Sequence, residues 1–336
     1  MLGSLWSRLK GFTPLFFIVM GLLSWRITAP YGWLAPWIIS AMLFFAVLNM
    51  PPSAAAPRPK HLLLFVLQIA IGGTLYFILS AWDHVIATSL FMCFLAPAAA
   101  AAGAMTNLMD GDTGFATGYT IVTHGLICLV APFLLPLLDS HSHLPFWTLS
   151  GQIALLVIRM VMLPIVLAWL VRGVMKSMGK TPHPPKKLTY LLWLSSLLFI
   201  LGKSVSFVLK EGSEQVGLLI ASFAVGLLAC AIQFTLGSHL ARRIGVEEVA
   251  CRQSMGQKNT ALTLWLCITF MHPLVAPGIA GYIAWQNFFL TYYMNRRRRL
   301  TTTHYYLYHY ETLPSLPPSS PPLRRERTEP PWGLVG

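Results

Sequence analysis

Ten stretches of mostly apolar residues recur along this 336-residue chain, at 11–25, 33–50, 61–81, 84–108, 114–137, 148–171, 187–208, 215–239, 248–271 and 273–294. A helix crosses the hydrocarbon with about 20 such residues, fewer where it is broken. In lipid every backbone amide and carbonyl must be satisfied by protein, so such segments form helices rather than loops or open sheets. The expected fold is therefore an all-α membrane protein with ten transmembrane helices. Composition agrees, with 55% hydrophobic and only 10% charged residues, against about 25% charged in a soluble domain. That excludes a soluble enzyme. The net charge of +13 does not indicate nucleic-acid binding, because the basic residues cluster between apolar segments instead of lining one face. Cys93, Cys128, Cys230, Cys251 and Cys267 lack paired spacing, so neither a disulfide framework nor a zinc site is indicated.

Orientation follows from the lysine and arginine bias of the loops. With both termini cytoplasmic, the inner segments hold Arg8, Lys10, Arg58, Lys60, Arg172, Lys176, Lys180, Lys186, Lys187, Arg242, Arg243 and Arg296 to Arg299, while the outer loops hold only Arg26 and Lys210. The asymmetry vanishes if one span is miscounted, so it supports the even number too. The short first span, preceded by Arg8 and Lys10, also fits a signal peptide. The expected location is the inner (plasma) membrane of a bacterium. Residues 1–294 form the expected ten-helix domain. Residues 295–336 read as a disordered, basic, proline-rich cytoplasmic tail whose stretch 313–322 suits a solvated polyproline-type chain or an SH3-type ligand.

Ionisable groups inside a span are costly and point to function. All eleven acids fall outside mid-membrane positions: Asp83, Asp110, Asp112, Asp139, Glu211, Glu214, Glu247 and Glu248 at loops or span ends, and Glu311, Glu326 and Glu329 in the tail. The bases do the opposite, with Arg159 near the centre of span six, Lys203 in span seven and Lys258 in span nine. This balance suits a negatively charged solute, or a protein that holds its own positive charge where an ion would sit. Arg159 is a candidate anion contact or a snorkelling side chain; Lys203, nearer its span's outer end, fits snorkelling better.

Two spans are interrupted by small and polar residues. Span four contains Ala96-Pro97, a run of alanines, Gly103-Ala104-Met105-Thr106-Asn107 and Asp110-Gly111-Asp112; span nine contains Ser254-Met255-Gly256-Gln257-Lys258-Asn259-Thr260. Spans one to five and six to ten then form two five-helix repeats, which insert with opposite orientation. Matching helix breaks in two inverted halves point to a midplane transport site. Unwinding frees backbone groups that only protein or a watery cavity can satisfy. Half-helix N-termini favour anions, and freed carbonyls favour cations. A tight contact of small residues is the plainer explanation for either cluster taken alone.

At these residues the chain resembles the bile acid:sodium symporter superfamily, over roughly residues 11–294. The resemblance implies ten helices in two inverted repeats, with helices 4 and 9 broken and crossing. It also implies a core of helices 3–5 and 8–10 that moves against a panel of helices 1, 2, 6 and 7. The family's Ser-Asn at the helix-four crossing looks like Thr106-Asn107, its polar helix-five position like Thr120, and a serine one turn earlier like Ala116. A helix-three glutamine that reaches an ion is similar to Gln68. The helix-nine pattern Glu-x-Gly-x-Gln-Asn reads here Ser254-Met255-Gly256-Gln257-Lys258-Asn259, matching at Gly256 and Asn259 only. The glutamate that serves both sodium sites is thus a neutral serine, and the glutamine near the second site is a lysine. A bound cation beside that ammonium, about 4 Å away, would be repelled by about 4 kcal/mol at an effective dielectric of about 20. Sodium held by Thr106, Asn107 and Thr120 is disfavoured, and the Lys258 ammonium is expected in its space, donating to freed carbonyls and to Asn107 or Gln68. It would serve either as a permanent structural cation or as a group that cycles a proton and couples transport to it.

The leading functional reading is a secondary transporter of a small organic anion by alternating access. Gln68, Thr106, Asn107, Thr120, Arg159, Ser254, Gly256, Gln257, Lys258, Asn259 and Thr260 are its candidate site. It needs no cofactor beyond a coupling ion, sodium or a proton. Other inverted-repeat carriers of auxin-efflux or antiporter type, and a transport-inactive sensor or scaffold that recruits a partner through the tail, are the alternatives. An enzyme is disfavoured: His124 has no carboxylate at membrane depth to orient it, and His141 and His143 are too closely spaced for a metal site.

Overall fold

The computed structural model describes residues 13–49, 56–138, 144–182, 186–211 and 215–311. Arg8, Lys10, Asp139, His141, His143, Glu214 and the proline-rich stretch 313–322 lie outside the described residues, as do the side chains of Lys186, Lys187 and Lys210. Apart from one isolated bridge, the described regular structure is all helical. The chain begins with α1 (Thr13–Leu23), the single turn α2 (Trp25–Thr28), a 3-10 segment (Ala29–Leu34) and α3 (Ala35–Asn49). Then come α4 (Pro59–Ser80), α5 (His84–Leu95), the short α6 (Ala102–Asn107) and α7 (Thr113–Leu138). Next, α8 (Phe146–Val157) passes through a π turn (Ile158–Met162) into α9 (Leu163–Ser177), followed by α10 (Lys186–Glu211) and α11 (Val216–Ile244). The last elements are α12 (Glu248–Gly256), α13 (Thr260–Phe270), a 3-10 turn (Pro273–Val275) and α14 (Ala276–Glu311).

Among the described residues, five helical stretches are long and apolar enough to cross a membrane: Trp25–Leu48, Pro59–Ser80, Thr113–Leu138, Phe146–Ser177 and Val216–Ile244. Leu23, Phe77, Trp82 and Trp147 are each at least 75% exposed, which lipid accommodates and water does not. The chain is an integral membrane protein. The two interrupted spans yield only short apolar helices, α5 and α13, neither of which reaches across alone.

Local chemistry sets the helix ends. Asp83 caps α5 by accepting from the Ile86 amide at 2.9 Å. The helix stops because Pro97 excludes α geometry from its predecessor, and Ala96 accordingly has ψ 128°. Glu247 caps α12, accepting from Val249 and Ala250 at 2.7 Å each. Gly245, with φ +62°, terminates α11 in the left-handed region. The π turn also has an identifiable cause: Pro164 has no amide for the Met160 carbonyl four residues earlier, and the Ser40 hydroxyl donates to that carbonyl at 3.2 Å.

By contact the chain divides into Met1–Met294 and Asn295–Gly336. Within the first unit α10 packs on α1, α2 and α3, and α9 packs on α3. In addition α4 packs on α5, α11 on α5 and α12, and α7 on α6 and α12, while α7 also packs on α8 and α13 on α10 and α3, joining the two groups. The last helix, α14, is assigned through Glu311. Its sequence explains this, since no proline intervenes between Pro277 and Pro314.

Candidate functional site

The two interruptions meet. Ala98 and Lys258 form an antiparallel bridge; the Ala99 amide donates to the Gln257 carbonyl and the Asn259 amide to the Pro97 carbonyl, both at 2.8 Å. Every residue from Ser254 to Thr260 is buried. Two extended stretches thus cross as a minimal ladder inside helical surroundings, an arrangement that satisfies part of the backbone freed by each break.

Side chains from other helices supply the remainder, group by group. Pro97 has no amide for the Cys93 carbonyl, and Gln233 Nε2 donates to it at 3.2 Å. The Ala98 amide goes to Thr123 Oγ1 at 3.1 Å, which strands the Phe94 carbonyl; Gln68 Nε2 takes that carbonyl and reaches Ala96 O at 3.4 Å. Thr120 Oγ1 donates to Ala99 O at 3.2 Å. On the second strand the Lys258 amide donates to Gln286 Oε1 at 2.7 Å, and Tyr282 donates to the Gly256 carbonyl at 2.9 Å. Asn259 Oδ1 caps α13 by accepting from the Leu262 amide at 3.3 Å.

Lys258 stands at the centre with 1% of its surface exposed. Its Nζ donates to Gln68 Oε1, which also accepts from the Tyr119 hydroxyl at 3.0 Å. No carboxylate partners it among the described residues: Asp112 pairs with Arg58 and Glu248 with Arg252, each at 3.0 Å. Around the second break Ser254 Oγ, Gln253 Oε1 and Gln257 Nε2 are buried without a hydrogen-bond partner among the described residues. Gly256 packs so tightly on Phe234 that a Cβ there would lie 2.5 Å from the ring.

Of the sequence-derived candidates, Gln68, Thr120, Gly256, Gln257, Lys258, Asn259 and Thr260 lie in this crossing, with Ser254 on the last turn of α12. Thr106 and Asn107 do not form the crossing backbone, which comes from Pro97 to Ala99. Thr106 is buried within α6, its hydroxyl bound to Ala102 O at 2.8 Å, and Asn107 is exposed at the end of that helix. The break follows the proline, not the polar cluster ten residues later. The expected contact between Lys258 and Asn107 is therefore replaced by the one with Gln68. Arg159 is exposed on the π turn, without an ion pair among the described residues. The aliphatic stem of Lys203 lies against Gly32, where an added Cβ would come within 2.6 Å of Lys203 Cδ.

Tyr119, Gln233, Tyr282 and Gln286 were not singled out from sequence. A glutamine in an otherwise apolar span is a usable signal for two of them; the tyrosines carry none. A cavity of about 340 Å³ lies away from the crossing, lined by Arg58, Lys60, Asp112, Phe115, Gly245 and Glu247 among others. There the Asp112 amide donates to Glu247 Oε2 at 3.2 Å and Lys60 Nζ to Gly245 O at 2.8 Å, clasping two loops together. No group of three or more histidines, cysteines or acids placed to hold a metal ion occurs among the described residues. No protein-family model matches the chain, and no curated protein matches it.

Proposed function

We propose that this protein is a secondary transporter of a small organic anion, working by alternating access across the crossing of the two interrupted helices. The observation that carries the reading is the buried Lys258 side chain, which no carboxylate partners among the described residues. An unpaired interior charge is expensive, and an anionic solute arriving beside it would supply the missing counter-charge. The amino end of α13 begins two residues after Lys258 and adds the positive end of a helix dipole.

In this proposal the chain is a divergent relative of the bile acid:sodium symporters, with ten spans in two inverted five-helix repeats and both termini cytoplasmic. The packing of α10 on α1–α3 and of α9 on α3, and of α4 on α5, α11 on α5 and α12, and α7 on α6 and α12, is what a panel and a core would show. The two would meet where α7 packs on α8 and α13 on α10 and α3. Lys258 takes the place of a sodium ion, donating to Gln68 as a bound cation would draw on its carbonyl. Ser254, neutral and without a hydrogen-bond partner among the described residues, would stand where those symporters hold a carboxylate.

Uptake of a panel of labelled mono- and dicarboxylates and conjugated organic acids into proteoliposomes tests this directly. At least one anion should enter faster than into protein-free vesicles, and Lys258→Met should abolish that entry. Failure of every anion to enter, with the protein folded, would contradict the proposal.

A further inference from the structure

His124 lies on α7, fully buried, with both ring nitrogens engaged. Nδ1 is 2.8 Å from the Thr120 carbonyl. A carbonyl only accepts, so Nδ1 carries the hydrogen. Nε2 of the neutral ring is then an acceptor, and Asn259 Nδ2 donates to it at 3.1 Å. The orientation of the Asn259 amide is set from its other end, where Oδ1 accepts from the Leu262 amide at 3.3 Å. One side chain thus ties α7 to the cap of α13, and the tie requires a lone pair on Nε2.

We infer that His124 is a proton-binding site whose occupation releases the cap of α13, making the protein a proton–anion symporter. The proton leaves water on the side to which the crossing is open and forms an N–H bond with the Nε2 lone pair. The Asn259 Nδ2–H···Nε2 hydrogen bond breaks, and the ring gains one positive charge. Asn259 can meet the new donor only by turning its amide, but its NH₂ then faces the Leu262 amide. Protonation and capping therefore exclude one another. The uncapped amino end of α13, the imidazolium and Lys258 all favour an anion at the same place, so proton and anion bind with positive cooperativity, each raising the other's affinity equally. The proton returns to water on the opposite side when the anion leaves.

Other titratable groups on the elements packed against α7 are engaged elsewhere. His84 meets Tyr76, His61 accepts from the Arg58 amide, Cys93 lies against the Gly278 carbonyl and Arg252 pairs with Glu248. Lys60 is held by Gly245 O, and Cys251 is a buried thiol on α12. Arg159 is exposed on the π turn, and α8 and α6 bring no titratable side chain. On α7 itself Cys128 donates to the His124 carbonyl at 3.2 Å, and Tyr119 is committed to Gln68. Lys258, the neighbour of Asn259, is the titratable side chain nearest in the chain, and its Nζ donates to Gln68.

The coupling half of this inference rests on the transport proposal, whereas proton binding does not, and the test separates them. Amide hydrogen exchange at residues 260–263 is followed in the full chain in lipid nanodiscs, without solute, from about pH 7.5 to about pH 5. After correction for the intrinsic pH dependence of exchange, opening should increase about fivefold toward acid in the native protein and in Lys258→Met. It should not change in His124→Gln, whose side-chain carbonyl accepts from Asn259 without titrating. An opening independent of pH in the native protein, or an acid response retained in His124→Gln, overturns the site. Should His124→Gln not fold, imidazole NMR of the native protein replaces it: no histidine titrating in step with the exchange at 260–263 overturns the site. In proteoliposomes an inward proton gradient should accelerate anion uptake by the native protein and not by His124→Gln. Uptake that ignores the gradient, together with an intact exchange response, overturns symport alone.

Discussion

Gln68 carries three duties at once, and none has a substitute nearby: its carbonyl accepts from Lys258 and Tyr119 while its amide covers the stranded Phe94 carbonyl. Removing it leaves a buried ammonium and a buried carbonyl unsatisfied, the costlier kind of deletion. Gln68→Leu should therefore lower stability by about 3–5 kcal/mol. Lys258→Met removes the charge along with its need and should cost less. Adding Lys258→Met to Gln68→Leu should recover more than about 1 kcal/mol, measured as a double-mutant cycle of unfolding in detergent. Additive losses would show that the contact between them carries no weight. Some of this was legible in the sequence and some was not. A lysine amid Ser254, Gly256 and Asn259 on an apolar span announces itself. The partner segment Pro97 to Ala99 offers only backbone, so the nearby polar pair Thr106-Asn107 attracts attention that composition cannot correct. Tyr119 and Tyr282 contribute hydroxyls whose use depends on tertiary placement.

At the scale of elements, each break is held open by caps. Asn259 caps α13 and Glu247 caps α12, and Glu247 also accepts from the Asp112 amide, so the clasp and the second half-helix share one carboxylate. Burial works to raise the Asp112 carboxyl, but the Phe115 amide and the Arg58 guanidinium outweigh it and hold the group below its ordinary value. A carboxyl lowered by folding stabilises fully above the ordinary value of about 3.9, and that stabilisation is lost as the pH falls through the lower folded value. The stability difference between the native protein and Asp112→Asn should thus be constant above about pH 5 and shrink under more acid conditions. A difference that instead grows toward acid would show that the carboxylate is not what the clasp uses. Two helix starts, at His84 and Glu248, coincide with the beginnings of the apolar stretches 84–108 and 248–271, whereas the start of α13 at Thr260 lies inside the second stretch. The π turn was not legible in the sequence, because its stabilising hydroxyl, Ser40, comes from α3, 120 residues away in sequence.

For the molecule as a whole, the charge asymmetry of the loops predicts an orientation that can be measured. All five cysteines are free and buried, so the native chain offers little background to an impermeant thiol reagent. In inside-out vesicles Lys176→Cys should react and Trp82→Cys should not; in right-side-out vesicles the pattern should reverse. Both positions reacting from one side would break the proposed topology, since an odd number of crossings must separate them. Apolar length alone indicates a membrane protein, and five stretches among the described residues satisfy it outright. The interrupted spans fall short for a physical reason: Pro97 and the polar run 254–260 spend helix length on a crossing.

The proposed transport mechanism requires Lys258 to supply an ammonium where bile acid:sodium symporters would hold sodium. The most direct measurement is anion uptake into proteoliposomes with all sodium replaced by choline. Initial rates should agree within about twofold, because a cation about 4 Å from Lys258 is disfavoured by about 4 kcal/mol at an effective dielectric of about 20. A loss of tenfold or more on removing sodium would contradict the account.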